Sequence, residues 1–430
     1  MCKTAICRDK NSVELAEIFN LYSQSYCEQY KLSAVQYKAM NAIRNCRTAA
    51  LGGHIQRCEC CGAEIISYNS CRNRHCPKCQ SMAKARWLEA RQQELLPVEY
   101  FHTVFTIPHE INSLASYNQT IIYNILFKAA WTAVHTLGKD KKRLGGEMGM
   151  LAALHTWGQN LFGHIHLHCI IPGGALQSTP QNKQKNKQKN KQKDKQKWIA
   201  CNPGFLFPVR VLSKIFRGTF VSALRKAFEN NELILKGVVA HLSNPKAFTH
   251  LLDLLMKKNW CVYAKEPFNG ADGGLSYLSR YVYRVAISND RILSCDDGQV
   301  TFKWRDYSDN NKRKIMTLNA HEFIRRFLTH VLPDKFVRIR FYGFLANSCK
   351  SKKISQILEL LKHSQPKLHT ALTDQKETKE TTEELMYRLT GVDITLCPTC
   401  KKGKLQTIKT LPNFKQLQNN DFYNNYWDTS

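Results

Sequence analysis

Acidic residues are scarce in this chain: 34 Asp and Glu stand against 63 Lys and Arg, for a formal charge of +29. That shortage argues against a small-metabolite site as the main business of the surface and favours a polyanionic partner, DNA or RNA. Long apolar runs are missing as well. No stretch approaches the ~20 residues of a membrane-spanning helix, and the opening MCKTAICRDKNSVELAEIF has no apolar core of signal-peptide length. A soluble cytoplasmic protein is the expectation. Its 17 cysteines would then be reduced, which points to metal binding rather than disulfides. With 430 residues and 43% apolar content, the chain has enough material for two or three domains.

Part of the charge excess is local. The run from Gln181 to Lys197 supplies seven of the 29 net charges. It is a Lys/Gln/Asn repeat with too few apolar groups to fold, and reads as a solvated insertion or an electrostatic DNA tether. Elsewhere the periodicities are those of folded elements. Leu15, Ile18, Phe19 and Tyr22 share a helical face, with Asn11 or Ser12 placed as a cap. Ser33 and Gln36 form a capping box for a second helix that buries Tyr37, Met40 and Ile43. A helix is expected from Ser81 to Leu96, ended by Pro97. Strand-like runs YFHTVFTI, MLAALHTW and HIHLHCII then alternate with helical spacing at Ile121 to Val134, and a basic amphipathic helix is expected from Ser213 to Phe228. The pattern is α+β. Thr370 to Leu385 reads as a linker or exposed helix.

Cys58, Cys61, Cys76 and Cys79 form two CxxC pairs with fourteen residues between them, a spacing that suits a tetrahedral structural Zn²⁺ site. Cys60, Cys71, His54 and His75 are close enough in sequence to replace one ligand or to bind a second ion. Arg57, Arg72, Arg74, Lys78, Lys84 and Arg86 surround them and could face phosphates. Cys397 and Cys400 make another CPxC without a matching pair nearby; it joins distant residues or binds nothing.

In His164-Ile165-His166-Leu167-His168 the period of two sends three imidazoles to one face of a strand. Neutral imidazoles at i and i+2 can hold a divalent ion and leave positions open for substrate oxygens. A metallo-β-lactamase pattern is excluded by Ile170 and Ile171, and Pro172-Gly173-Gly174 leaves no place for a cupin-type Glu. About a hundred residues on, Tyr277 and Tyr281 stand at i and i+4 beside Arg280 and Arg284. A phenol with a pKa near ~10 needs help as a nucleophile, and a metal-polarised phosphate with nearby cations would give it.

With these motifs in view, the chain resembles the HUH family of rolling-circle insertion-sequence transposases that carry an N-terminal zinc-binding domain and a two-tyrosine catalytic helix. The likeness rests on CRTAALGGHIQRCECCG, SYNSCRNRHCPKCQ, FTIPHEIN, WGQNLFGHIHLHCIIPGG, PGFLFPVRVLSKIFR, YAKEPF, YLSRYVYRVAISN, EFIRRFLTHVLP and RIRFYGFLAN, in order over most of residues 14 to 347. It implies that His166 and His168 are the HUH pair, that Tyr277 and Tyr281 are the nucleophiles, and that an antiparallel sheet flanked by helices follows a small helical zinc-binding domain. The implied division is 1–98 for that domain, 99–300 for the nuclease with its insertion at 181–197, and 301–430 for a C-terminal region. Two departures stand out: the lysine-rich insertion, and Val285 where single-tyrosine relatives have a helix-borne Gln, which leaves His164 and Gln159 as candidates for the third ligand.

The resemblance further implies Mg²⁺ or Mn²⁺ at the scissile phosphate, a 5′-phosphotyrosine link with a free 3′-hydroxyl, and single-stranded DNA at mobile-element ends as partner. A bacterial cytoplasmic location follows, at the nucleoid when DNA is bound. Lys265 and Arg284 are candidate phosphate contacts. The competing readings are a replication-initiation or mobilisation nuclease of the same chemistry, and a non-enzymatic zinc-dependent nucleic-acid-binding protein.

Overall fold

The computed structural model describes residues 13–92, 94–178, 196–265, 267, 282–307, 309–364, 380–414 and 416. Tyr277, Tyr281, Arg280, the caps expected at Asn11 and Ser12, nearly all of the lysine-rich run and residues 370–379 lie outside them.

Two helices open the described chain, α1 (Leu15–Gln29) and α2 (Ala34–Arg44). Glu14 and Glu17 form a capping box for α1, and Ser33 and Gln36 form the one expected for α2. Met40 and Ile43 are buried as their spacing requires, whereas Tyr37 is 53% exposed. Position 37 lies a turn before the buried stripe, so its ring faces water instead of α1. The hairpin β1 (Gly53–Cys58) and β2 (Glu64–Tyr68) follows, then α3 (Gln80–Gln92).

The central part runs β3 (Tyr100–Thr106), α4 (Asn112–Tyr117), α5 (Gln119–Lys139), β4 (Gly149–Trp157), β5 (Gly163–Pro172), β6 (Gly174–Ser178), β7 (Gln196–Ala200), α6 (Val209–Glu229), α7 (Pro245–Lys257) and β8 (Val262–Ala264). After it come β9 (Ile292–Asp296), β10 (Gln299–Asp306), β11 (Lys312–Asn319), α8 (Ala320–Thr329), β12 (Ile339–Gly343), α9 (Lys350–Ser364), α10 (Thr382–Thr390) and β13 (Leu405–Leu411). The fold is α+β, and the sheet at its centre has the order β12-β4-β5-β3-β8 with every pair antiparallel.

Alternation gives this sheet two unlike faces. Phe101, Phe105, Met150, Ala152, Leu154, Ile165, Leu167, Cys169 and Ile171 bury one face against α5 and α6 in the largest apolar core. Phe216 of α6 packs edge-on to both Phe105 and Trp260, with ring centroids 5.1 and 5.2 Å away. The opposite face carries His155, His166 and His168 and, further along the same strands, Leu151, Ala153 and Ile170, which pack with Tyr100 and Val282. A second core joins α1 and α2 to the β11-β10-β9 sheet, to α8, and to Trp157 and Leu161 at the end of the β4–β5 hairpin.

The expected domain limits meet this arrangement unevenly. Residue 98 falls between α3 and β3, but residue 300 falls inside β10, the middle strand of its sheet. Residues 301–430 are not a separate region: β12 is an edge strand of the central sheet, α8 lies in the core of the N-terminal helices, and β13 pairs with β1. Each of these elements has an apolar or hydrogen-bonding edge that it satisfies only against an earlier part of the chain.

Two outcomes test the packing. Gly343 ends β12 with φ +60°, and a Cβ there would meet the carbonyl of Met148 and the ring of Trp131. Gly343→Ala should therefore lower stability by about 3 kcal/mol, read as a fall in the thermal midpoint. In α8, Arg325 and Arg326 hold the Glu322 carboxyl down to about 2. A depressed folded-state pKa means that the contribution is present above the unfolded value and is lost as pH falls through that range to about 2. Glu322→Gln should thus lower the thermal midpoint modestly at pH 7, the ion pairs being partly exposed, and approach the parent as pH falls below about 4.

Candidate metal centres

On β5 the strand period places His164, His166 and His168 on one face, yet only two of the three enter the cluster. His164 is exposed; its carbonyl oxygen accepts a 2.7 Å hydrogen bond from Nδ1–H of His166. The third member comes from the neighbouring strand. His155 of β4 lies directly opposite His166 in the ladder, and His155, His166 and His168 bring a ring nitrogen each within 4.8 Å of one another, all three side chains being buried. Gln159, the other candidate, donates instead to the hydroxyl of Tyr307.

The hydrogen bonds fix what these rings can do. A carbonyl only accepts, so the proton of neutral His166 is on Nδ1 and a lone pair on Nε2 faces Nε2 of His168 at 3.1 Å. Nδ1 of His168 lies 2.9 Å from Nε2 of His102 on β3, which orients the second ring. Burial pushes the His166 imidazolium down to about 3 and that of His168 well below its ordinary range, so both rings are neutral ligands at physiological pH. Two nitrogens at cis positions of an ion with bonds of about 2.1 Å would be about 3.0 Å apart, which the 3.1 Å spacing matches. The donor set fits a divalent ion. The charges of Arg284 and Lys265 also reach this face: Arg284 disfavours protonation of His166 and His168, and Lys265 does so for His102. Beside the histidines opens a cleft of about 320 Å³, lined by His164, Thr106, Glu110, Asn112, Lys258 and Trp260 among others.

The hairpin that presents the histidines is held at its turn. His330 donates from Nε2 to the Leu161 carbonyl at 2.9 Å and accepts from the Thr156 hydroxyl at 3.2 Å. Arg326 donates to the Asn160 carbonyl and lies over the Phe162 ring, 3.9 Å from its centroid. Arg291 donates to the Gln159 carbonyl.

The thiols form two clusters, and the expected tetrad is divided between them. Cys76 and Cys79 join Cys46 and Cys71, whereas Cys58 and Cys61 join Cys397 and Cys400. In the first cluster, Sγ of Cys79 is 3.5 Å from that of Cys46 and 3.6 Å from that of Cys71. Four sulfurs around Zn²⁺ with bonds of about 2.3 Å would be about 3.8 Å apart, so the spacing is that of a zinc tetrad. The reason for the division is local: the β1–β2 hairpin begins at Gly53 and returns at Tyr68, carrying Cys58 and Cys61 to its far tip while Cys71 to Cys79 stay at its base with the end of α2. Cys46 was absent from the expected ligands, although it opens the CRTAALGG segment; Cys60 stays exposed, and half-buried His75 accepts from the Leu332 N–H. Of the surrounding cations, Arg74 faces no solvent phosphate: it donates to the carbonyls of Phe336 and Pro333 at 2.6 and 2.8 Å and so fastens the first cluster to the segment before β12. Lys78 pairs with Glu14.

Residues 149–353 match a family described as "Putative transposase", and residues 18–107 match the "Transposase zinc-binding domain". A "Putative transposase y4qJ" of Sinorhizobium fredii is 45% identical over 93% of this chain and 96% of its own length. The "Transposase for insertion sequence element IS801" of Pseudomonas savastanoi pv. phaseolicola is 23% identical over 81% of this chain and 80% of its own length. No solved structure matches. The domain match and the thiol clusters together support structural zinc. Cys79→Ser removes a sulfur that lies within 3.6 Å of both Cys46 and Cys71; it should weaken zinc retention against a chromogenic chelator by at least about tenfold and lower the thermal midpoint.

Proposed function

We propose, because this chain belongs to the transposase family with the transposase zinc-binding domain, that it cuts and transfers single-stranded DNA by tyrosine attack at a phosphate seated on the histidine face of the sheet. The observation that carries the reading is the convergence of His155, His166 and His168 beside the charge of Arg284. Val282, the residue after Tyr281, is buried against Ile170, one step along the same face from His168. This supports Tyr281 and its neighbour Tyr277 as the nucleophiles.

In this reading His155, His166 and His168 hold Mg²⁺ or Mn²⁺, which supplies charge stabilisation at the phosphate. One phenol of the Tyr277/Tyr281 pair forms a bond to phosphorus, and its proton passes through water to the departing 3′-oxygen. The P–O bond to the 3′-oxygen breaks, leaving a 5′-phosphotyrosine and a free 3′-hydroxyl. The ester conserves the bond energy, so the strand can be passed to a new end without ATP. The second phenol permits a further cut while the first end remains attached. Arg284 and Lys265 offset the phosphate charge, and His102 keeps the His168 ring in place. The cleft lined by His164, Asn259 and Lys258 gives an unpaired strand a polar wall.

A mobilisation nuclease would share the site, but the relatives that cover most of the chain carry transposase names. A merely nucleic-acid-binding protein would have no use for three buried neutral imidazoles turned toward one another. Incubation with a labelled single-stranded oligonucleotide from an element end and Mn²⁺ should give an SDS-resistant protein–DNA adduct. No adduct, or one that persists in the Tyr277→Phe/Tyr281→Phe double variant, rejects the assignment. His155→Ala should slow adduct formation by about 100-fold and, by emptying a buried position, lower the thermal midpoint. A variant as fast as the parent would show that His155 is no ligand.

A further inference from the structure

The zinc-binding-domain match ends at residue 107, so it contains only half of the second thiol cluster. We propose that Cys58, Cys61, Cys397 and Cys400 hold a second structural Zn²⁺, which closes a three-stranded zinc ribbon assembled from widely separated parts of the chain. The four sulfurs converge, with Sγ of Cys58 3.6 Å from Cys400 and Sγ of Cys61 3.7 Å from Cys397. A disulfide needs about 2.05 Å, and both close pairs run between the two CxxC segments; the spacing is instead that of sulfurs sharing one ion, about 3.8 Å.

The backbone around the thiols has a matched form. In the first CxxC turn Gly62 N–H donates to the Cys58 carbonyl at 3.0 Å, and in the second Lys401 N–H donates to the Cys397 carbonyl at 2.8 Å. The residue after each second cysteine takes a left-handed conformation, φ +69° at Gly62 and +56° at Lys401. A backbone N–H also points at a sulfur in each turn, from Cys60 to Cys58 and from Gly403 to Cys400, both at 3.4 Å. Donors aimed at sulfur stabilise thiolates, the form that binds zinc.

The sheet brings the two turns to one end. β13 pairs antiparallel with β1 on the edge opposite β2, with Leu405 opposite Cys58. Glu59 stitches the junction: its N–H donates to the Lys404 carbonyl, and its carboxylate accepts from the Lys404 N–H and the Gln406 amide. Gly403 is where the turns touch, since a Cβ there would fall 2.5 Å from Sγ of Cys58. An ion bound at this point would tie residues over 300 positions apart. Loop-closure cost grows only with the logarithm of that separation, so four thiolate bonds can offset it.

Metal analysis of the purified full-length protein should find two zinc ions per chain, and one in Cys397→Ser/Cys400→Ser. A parent chain with a single ion, or a double variant that keeps two, overturns the proposal. Cobalt exchange decides the case in which the double variant fails to fold. Cys400→His should retain two ions and shift the visible bands of one, because nitrogen replaces one of four sulfurs. Bands identical to those of the parent would show that Cys400 binds no metal and overturn it equally.

Discussion

The pairing of β4 with β5 is the constraint on which the site depends. Because the ladder is antiparallel and sets His155 opposite His166, the strand period of two then adds His168 to the same face. A shift of this register by one residue would send the histidines into the apolar core and bring Leu154 and Leu167 to the surface. The apolar residues between the histidines are thus part of the site. Their packing against α5 and α6 makes any other register costly.

The hairpin is also held from outside. His330, Arg326 and Arg291 bind carbonyls of its turn, and Trp157 lies in the core built from α1, α2 and α8. Arg74 reaches from the first thiol cluster to the carbonyls just before β12, the strand that borders β4. The cysteines and the histidines are joined by short chains of partly buried polar bonds. Loss of the zinc tetrad therefore bears on the geometry of the histidine face.

Much of this was legible in the sequence where the signal is local. The alternation in HIHLHCII gave the face of the histidines, the Ser33/Gln36 box gave the start of α2, and the basic helix lies close to its expected limits at Val209–Glu229. His155 was missed because MLAALHTW reads as one apolar run, fitting a strand buried on both sides. A hairpin folded about the Asn160–Leu161 turn places it opposite His166, and that turn was the available clue. The cysteine partners escaped for a different reason. Closeness in sequence favours joining Cys58 and Cys61 to Cys76 and Cys79, and nothing local records that β13 returns to β1. Tyr37 shows the limit of periodicity, since a helical stripe does not say where the facing helix ends.

The return of β13 has a bearing on the order of events during synthesis. The β1–β2 hairpin emerges early from the ribosome, but its outer edge has no partner until residues near Leu411 have been translated. By then the central sheet, the histidine strands and the segment carrying the tyrosine pair have all left the exit tunnel. The last described strand completes a module begun near the start, so the outer edge of that module is finished only after the histidine strands have been made.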